Sequence, residues 1–138
     1  MSNAAVAQSN PALTGAVPVL GRVLIAGLFV LSGLSKIAAP AATIGMIQAS
    51  GLPFPMLGYV GSIAVELGAS TALVLGFQTR LVALVMAAFT LVTAFAFHTN
   101  FADVDQFIHF FKNISIIGGL LQVAAFGGGR FSLDARRQ

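Results

Sequence analysis

The sequence predicts an all-α integral membrane protein, a bundle of four transmembrane helices with both termini in the cytoplasm. Hydrophobic residues make up 57% of the 138-residue chain and charged residues only 8%, whereas a soluble domain is about one-quarter charged. The mean hydropathy is +0.94. Long apolar stretches alternate with short polar or Pro- and Gly-containing links, which is typical of a chain that crosses a bilayer repeatedly.

The four spans are predicted at about residues 17–37, 56–76, 80–98 and 107–126, within one domain over 12–134. Residues 1–11 are small and polar and are predicted to be disordered. Gly76 ends the second span, and the glycine triplet 127–129 ends the fourth. The connector after the first span is predicted to contain a short amphipathic helix over 41–49, at the membrane interface or packed on the bundle. Residues 135–138 form a basic tail.

The distribution of Lys and Arg predicts the orientation. With four spans, both termini and the link between the second and third spans share one side, which carries Arg22, Arg80, Arg130, Arg136 and Arg137. This side should be cytoplasmic by the positive-inside rule. Within it, Arg22, Arg80 and Asp134 are predicted to be structural, with Asp134 pairing with Arg80 or Arg22 to pin the tail under the bundle.

Composition also excludes several functions. The chain has no cysteine, so disulfides, thiol redox chemistry and cysteine-ligated metal sites are excluded. The few basic residues are scattered, which indicates membrane orientation and no nucleic-acid partner.

Glu66 is the central candidate, because it lies in the middle of an apolar span. An ionised carboxylate at that depth costs about 2.5–3.5 kcal/mol, so Glu66 is either protonated or paired with Lys36, Lys112 or His98. Alternating span directions bring these residues and Asn113 to the outer half of the bundle. Intramembrane ionisable groups are usually functional, although an ion pair that only fixes helix register would look the same.

Helical spacing predicts which faces point inward. On the second span Tyr59, Ser62, Glu66 and Ser70 share one face. On the third, a stripe of small residues suited to close packing consists of Ala83, Ala87, Thr90, Ala94 and His98. On the fourth, the smaller and more polar face consists of Lys112, Ser115, Gly119 and Gln122. These faces are predicted to point into the bundle.

Three roles are considered for the two histidines. His98 and His109 on adjacent antiparallel spans could ligate haem from both faces, but interfacial hydrogen bonding is favoured. Two histidines with a carboxylate could bind a metal, but no tight ligand motif is present. No metal site is therefore predicted.

The ordered set of polar and glycine-containing segments resembles the DoxX family of small bacterial four-span membrane proteins. The segments are Arg22 through Ser32-Gly-Leu-Ser-Lys36, Gly51-Leu-Pro-Phe-Pro55, Glu66 followed by Gly76-Phe-Gln-Thr-Arg80, His98, Lys112-Asn113, and Gly127-Gly-Gly-Arg-Phe-Ser-Leu-Asp134. The resemblance covers residues 18–134. It implies a bacterial inner-membrane component of an oxidoreductase system with a link to quinone. It leaves open whether the chain is itself an enzyme, because no redox cofactor motif is evident.

Three functions are compatible with these observations. The first is a quinone-interacting subunit, with Glu66, Lys36, His98 and Lys112 as proton carriers or donors and Tyr59, Ser62, Ser70, His109 and Asn113 around the ligand. The second is a non-enzymatic membrane scaffold that recruits redox or stress-response proteins or forms a homo-oligomer. The third is an oligomeric small-solute carrier with Glu66 as a proton-coupled site.

Overall fold

The computed structural model describes residues 10–138, and this part of the chain is helical with no strand. Four helices are long and apolar enough to cross a membrane: α1 (Ala12–Ala38), α3 (Pro55–Leu75), α4 (Thr79–Phe97) and α5 (Val104–Phe126). A short helix, α2 (Pro40–Ala49), lies between the first two. A 3₁₀ turn, Ala135–Arg137, ends the chain. The all-α four-span prediction is confirmed.

The helix ends follow local chemistry. Gly76 and Gly127 take positive φ angles of 69° and 81°, a conformation that glycine adopts without steric cost, and end α3 and α5 where the sequence predicts. The helix α5 starts at Val104, earlier than predicted, because the Asp103 carboxylate caps it by accepting hydrogen bonds from Asp105 N and Gln106 N. The helix α1 already begins at Ala12, and residues 1–9 of the predicted disordered segment lie outside the described residues.

The closest packing lies in the half of the bundle next to the tail. In this half α1 packs against the second half of α3, and α4 and α5 form an antiparallel hairpin whose connecting turn lies at the opposite end. The buried core of this half consists of Ala26, Phe29, Leu73, Ala83, Met86, Ala87 and Leu120. The small-residue stripe of α4 is buried as predicted, from Ala83 to Ala94. We call this end, with the 76–79 link and residues 127–138, the tail end, and the opposite end the far end.

The predicted inward face of α5 is wrong for two of its four residues, since Lys112 lines a cavity between the helices and Gly119 lies near Ile25, but Ser115 and Gln122 do not point inward. Ser115 and Gln122 are exposed, while Leu120 is buried and Ile116 packs against the core. The alanine stripe of α4 leaves space that only large side chains can fill at interior packing density, so α5 turns its Ile and Leu residues inward. The exposed Ser115 hydroxyl is satisfied by donating to the Phe111 carbonyl at 3.0 Å.

The connector helix α2 packs on the bundle. The helix is not amphipathic as predicted, because its few polar side chains do not gather on one face. Its Ile47 is buried against α3. A Cβ on Gly58 would lie 3.3 Å from the Ile47 side chain, so the glycine allows this close contact. The helix α2 therefore covers the far-end half of α3.

The tail is pinned at the tail end, although not by the predicted ion pair. The Asp134 carboxylate accepts hydrogen bonds from Gln78 N (2.8 Å), Thr79 N (2.7 Å) and Thr79 Oγ1 (2.6 Å). Among residues 10–138 it forms no ion pair with Arg80 or Arg22. The first amides of α4 have no partner within the helix, and the carboxylate caps them as it would at any helix N-terminus.

Arg22 holds the tail from the other side. Its side chain, only 1% exposed, donates from Nη1 to the Leu73 and Val74 carbonyls at 2.9 and 2.6 Å, and from Nη2 to the Phe131 carbonyl at 2.7 Å. The first two carbonyls lie in the last turn of α3, where a cation is electrostatically favoured. Arg22 therefore ties α1 to the end of α3 and to the tail.

Candidate functional site

A cavity of about 690 Å³ opens between the helices in the far-end half. The first half of α3 contacts α1 and α2 but makes at most weak contact with α4 or α5, so the bundle is split here. The walls are mainly apolar and aromatic, including Phe29, Ile47, Phe89 and Ile116. Polar side chains from all five helices converge on it, as in typical ligand-binding sites of this volume.

The centre of the polar wall is an ion pair between α1 and α3. Lys36 Nζ lies 2.7 Å from Glu66 Oε1 and 2.9 Å from Oε2. The Ser32 hydroxyl donates to Glu66 Oε1 and accepts from Lys36 Nζ, both at 2.9 Å. The Glu66 side chain is 5% exposed and that of Lys36 is 23% exposed. Lys36 therefore provides the counter-charge that a carboxylate at this depth requires.

Backbone features bring this pair together. The segment Ala64–Ala69, around Glu66, is π-helical, and such wider turns inside α-helices occur often at functional sites. Opposite it, a Cβ at Gly33 would lie 2.9 Å from the Leu67 side chain and 3.2 Å from Glu66 Cβ. The absent side chain of Gly33 therefore lets α1 approach the π-helical turn closely enough for Lys36 to contact Glu66.

His98 and His109 form the far-end rim of the cavity. Their rings are stacked, with 5.2 Å between centroids and 29° between planes. Haem ligation from both faces needs a porphyrin between opposed ring nitrogens, and the stacked rings leave no room for one. Among the described residues no group of three metal-ligating side chains occurs.

His98 lies one residue beyond α4. Burial lowers the pKa of its ring below the ordinary value, and the neighbouring His109 lowers it further, while Gln106 offsets only part of this effect. His98 Nδ1 is buried and has no hydrogen-bond partner in residues 10–138. A neutral imidazole has one donor and one acceptor nitrogen, so this ring can still hydrogen-bond a ligand while Gln106 lies beside it.

Lys112 and Asn113 of α5 complete the polar lining. Lys112 forms no ion pair among residues 10–138, whereas the charges of Lys36 and Glu66 cancel. With the His98 ring neutral, the lining is biased towards positive charge. The cavity therefore favours a ligand head group with hydrogen-bond acceptors or negative charge.

The structure thus gathers Lys36, Glu66, His98, His109, Lys112, Asn113 and Ser62 around one cavity. Two other candidates lie outside its lining. The Tyr59 hydroxyl donates to the Lys36 carbonyl at 3.3 Å. This hydrogen bond joins α3 to the end of α1 next to the Lys36–Glu66 ion pair. Ser70 is fully buried, and its hydroxyl has no hydrogen-bond partner in the described residues.

Sequence reasoning did not select four polar lining residues, Ser32, Thr43, Thr90 and Thr93. A signal exists for Ser32, which precedes Lys36 by one helical turn and shares its face. Thr90 lies in the small-residue stripe of α4, but its hydroxyl donates to the Met86 carbonyl at 2.7 Å. Its oxygen can still accept from a ligand.

The sequence model of one family, DoxX, matches residues 17–99, more than half of the chain. The chain belongs to the DoxX family. The chain is also similar to two proteins of Escherichia coli (strain K12). The chain is 43% identical to inner membrane protein YqjF over 115 residues, covering 83% of this chain and 87% of that protein. It is 34% identical to inner membrane protein YphA over 122 residues, covering 85% and 87%. No solved structure matches.

The DoxX match includes α1 from residue 17 onwards, α3, α4 and His98. It therefore contains both partners of the Lys36–Glu66 ion pair and the Gly33 contact. Lys112, Asn113 and His109 come from α5, beyond the matched residues. The protein is a DoxX-family integral membrane protein with relatives named as inner membrane proteins.

Proposed function

We propose that this DoxX protein is a membrane subunit of a quinone-linked oxidoreductase system and that its far-end cavity binds the quinone head group. The observation that carries the proposal is the convergence of Lys36–Glu66, His98 and Lys112 on a cavity whose remaining walls are mainly apolar. A quinone has the same character, with two acceptor oxygens on an apolar ring. Its isoprenoid chain would extend through the split bundle into the lipid.

The polar residues would divide the binding and proton chemistry among them. Lys112 and His98 would donate hydrogen bonds to the carbonyl oxygens, and charge-assisted donors form the stronger bonds. Lys36 and Glu66 would relay protons through Ser32, since the three groups form a continuous hydrogen-bonded chain. Reduction of a quinone to a quinol consumes two electrons and two protons. The electrons would come from a redox partner, because the proposal gives this chain the ligand and the protons only.

The proposed location is a bacterial inner membrane with both termini cytoplasmic. Arg80, Arg130, Arg136 and Arg137 lie at the tail end, and the far end carries Lys36 and Lys112 together with Asp103 and Asp105. This asymmetry supports the orientation by the positive-inside rule. The cavity would then face the non-cytoplasmic half of the bilayer.

Quinone content tests the proposal. The protein is purified in mild detergent from quinone-containing membranes, and extracted quinone is quantified by mass spectrometry per mole of chain. We expect about one quinone per wild-type chain. Lys112→Gln should lower the content at least about tenfold, since a hydrogen bond to a charged group contributes about 1.5–3 kcal/mol. The matched control is Gln122→Ala, on the exposed face of the same helix.

The result distinguishes the other two functions. Wild-type protein that retains no more quinone than the detergent blank would reject the proposal. Stoichiometric recovery of a soluble redox protein in that case would favour a scaffold. A proton-coupled solute flux in reconstituted vesicles, abolished by Glu66→Gln, would favour an oligomeric carrier.

A further inference from the structure

A second cavity, of about 600 Å³, lies at the tail end, where α4 begins and α5 ends. Three arginines line it: Arg80 from the first turn of α4, and Arg130 and Arg137 from the tail. It is separate from the far-end cavity and shares no lining residue with it. The proposed quinone chemistry therefore does not use it.

The positive charge of this cavity is only partly neutralised by the protein, because three arginines face one carboxylate, Asp134, whose charge interacts with that of Arg137. Among residues 10–138 none of the three arginines forms an ion pair. The acidic residue in the lining, Asp134, already accepts three hydrogen bonds from Gln78 and Thr79. The arginines can therefore donate to an acceptor from outside the chain.

Two of the guanidinium groups are held against aromatic rings. Arg130 lies over the Phe131 ring, 4.8 Å from its centroid, and Arg137 over the Phe77 ring at 5.2 Å. Stacking of this kind orients the planar group while its N–H edge stays free to bind phosphate. Arg80 lies beside the glycine loop, since a Cβ on Gly127 would be 3.5 Å from its Nε. The arginines thus surround one pocket.

The rim of the pocket is apolar. Leu81 and Phe126 belong to its lining and are 60% and 78% exposed, at the ends of two spans where the hydrocarbon region begins. A free phosphate ion would use the arginines but not this rim. An amphiphile with an anionic head group and an acyl chain would use both.

We propose that this arginine pocket binds the phosphate head group of an anionic phospholipid in the leaflet next to the tail. Basic pockets at the ends of transmembrane helices bind such head groups, and arginine matches phosphate with paired hydrogen bonds. The acyl chains would lie along Leu81 and Phe126. A bound lipid would join the start of α4 to the tail.

Binding can be measured with full-length protein in a neutral detergent titrated with phosphatidylglycerol, phosphatidylcholine or inorganic phosphate. Native mass spectrometry counts bound lipids, and the thermal unfolding midpoint reports stabilisation. We expect phosphatidylglycerol to bind and stabilise, phosphatidylcholine to do neither, and millimolar phosphate to compete only weakly. Equal binding of the two lipids, or phosphate replacing the lipid fully, would overturn the proposal.

Single glutamine substitutions locate the site. Arg80→Gln and Arg130→Gln should each weaken phosphatidylglycerol binding about fivefold, the effect expected for one basic side chain at a lipid surface. The matched control is Arg136→Gln, which removes the same charge from the same tail but outside the pocket lining. An equal loss in the control would mean a general charge effect and would refute the site. If a glutamine variant unfolds early without lipid, Arg80→Lys, which keeps the charge, should retain most of the affinity.

Discussion

Lys36 Nζ contacts both carboxylate oxygens of Glu66, at 2.7 and 2.9 Å, across the interface between α1 and α3. This contact explains how a DoxX chain keeps an acidic residue in the middle of a span. The pair is buried unequally, since Glu66 is nearly inaccessible and Lys36 is partly exposed to the cavity. The two residues should therefore respond differently to substitution.

Lys36→Met should be the most damaging single change at the site. It leaves the Glu66 carboxylate buried without a counter-charge, which costs about 3–5 kcal/mol in stability. Glu66→Gln should cost less, because Lys36 can turn its ammonium group towards the open cavity. The double variant should be milder than Lys36→Met alone. Unfolding by a denaturing detergent measures all three, and a double variant as unstable as the sum of the two single variants would contradict the pairing.

Gly33→Ala should weaken the Lys36–Glu66 ion pair by pushing α1 away from α3. The new Cβ would lie 2.9 Å from the Leu67 side chain, and overpacking of this kind typically costs about 1–3 kcal/mol. Gly27→Ala is the matched control on the same helix, because a Cβ there meets nothing within 4 Å. It should be neutral or slightly stabilising, since alanine is the better helix former. Equal unfolding curves for the two variants would refute the role of Gly33.

Asp134 should make the tail sensitive to acid. Burial alone would raise the pKa of its carboxyl, but hydrogen bonds from Thr79 and Gln78 and the charge of Arg137 lower the pKa below its ordinary value of 3.8. A group with a lowered folded pKa stabilises the fold at pH above the unfolded pKa and loses this contribution as pH falls through the folded value. The attachment of the tail should therefore be complete above about pH 4.

Removing the Asp134 carboxylate should weaken the attachment of the tail at neutral pH, as acid does for the wild-type protein. Asp134→Ala should cost about 0.5–2 kcal/mol, the range for loss of a helix cap. The tail amides should then exchange hydrogen faster, with little change in the far-end half. Asp105→Asn, at an exposed position, is the control. Unchanged tail exchange in Asp134→Ala would contradict the capping role.

His98 should make the far end less stable below neutral pH. Its pKa is lowered from 6.5, so the folded protein disfavours the charged ring. Between the folded pKa and 6.5 the unfolded state binds more protons, and stability therefore falls as pH decreases through this window. The unfolding midpoint should fall between pH 7.5 and 5, and His98→Gln should reduce this slope. The same slope in the variant would assign the effect to other groups.

The four spans could be predicted because a membrane leaves the backbone few alternatives. Every buried amide must be bonded within its segment, so apolar length and the glycines at Gly76 and Gly127 place the helices well. Alternating span direction also brings Lys36, Glu66 and His98 to the same half of the bundle. The depth of each charge thus follows from the sequence alone.

The rotation of each helix could not be predicted in the same way. The inward face of α5 depends on how the volume left by the alanines of α4 is filled, and apolar residues are present all around α5. The choice of Lys36 as the Glu66 partner depends on the π-helical turn and on the Gly33 contact, neither of which has a periodic signature. Asp134 could pair with an arginine or cap a helix, and in the structure it accepts hydrogen bonds from the amides at the start of α4.

Photo-crosslinking tests the central claim most directly, because it locates the ligand on the chain. Purified protein is irradiated with a quinone that carries a photoreactive group on its ring, and the modified peptides are identified by mass spectrometry. The account predicts labelling of cavity-lining segments around Lys36, Glu66 and Lys112, suppressed by excess unlabelled quinone and by Lys112→Gln. Labelling that falls on exposed faces such as Ser115 and Gln122, or that excess quinone does not suppress, would contradict it.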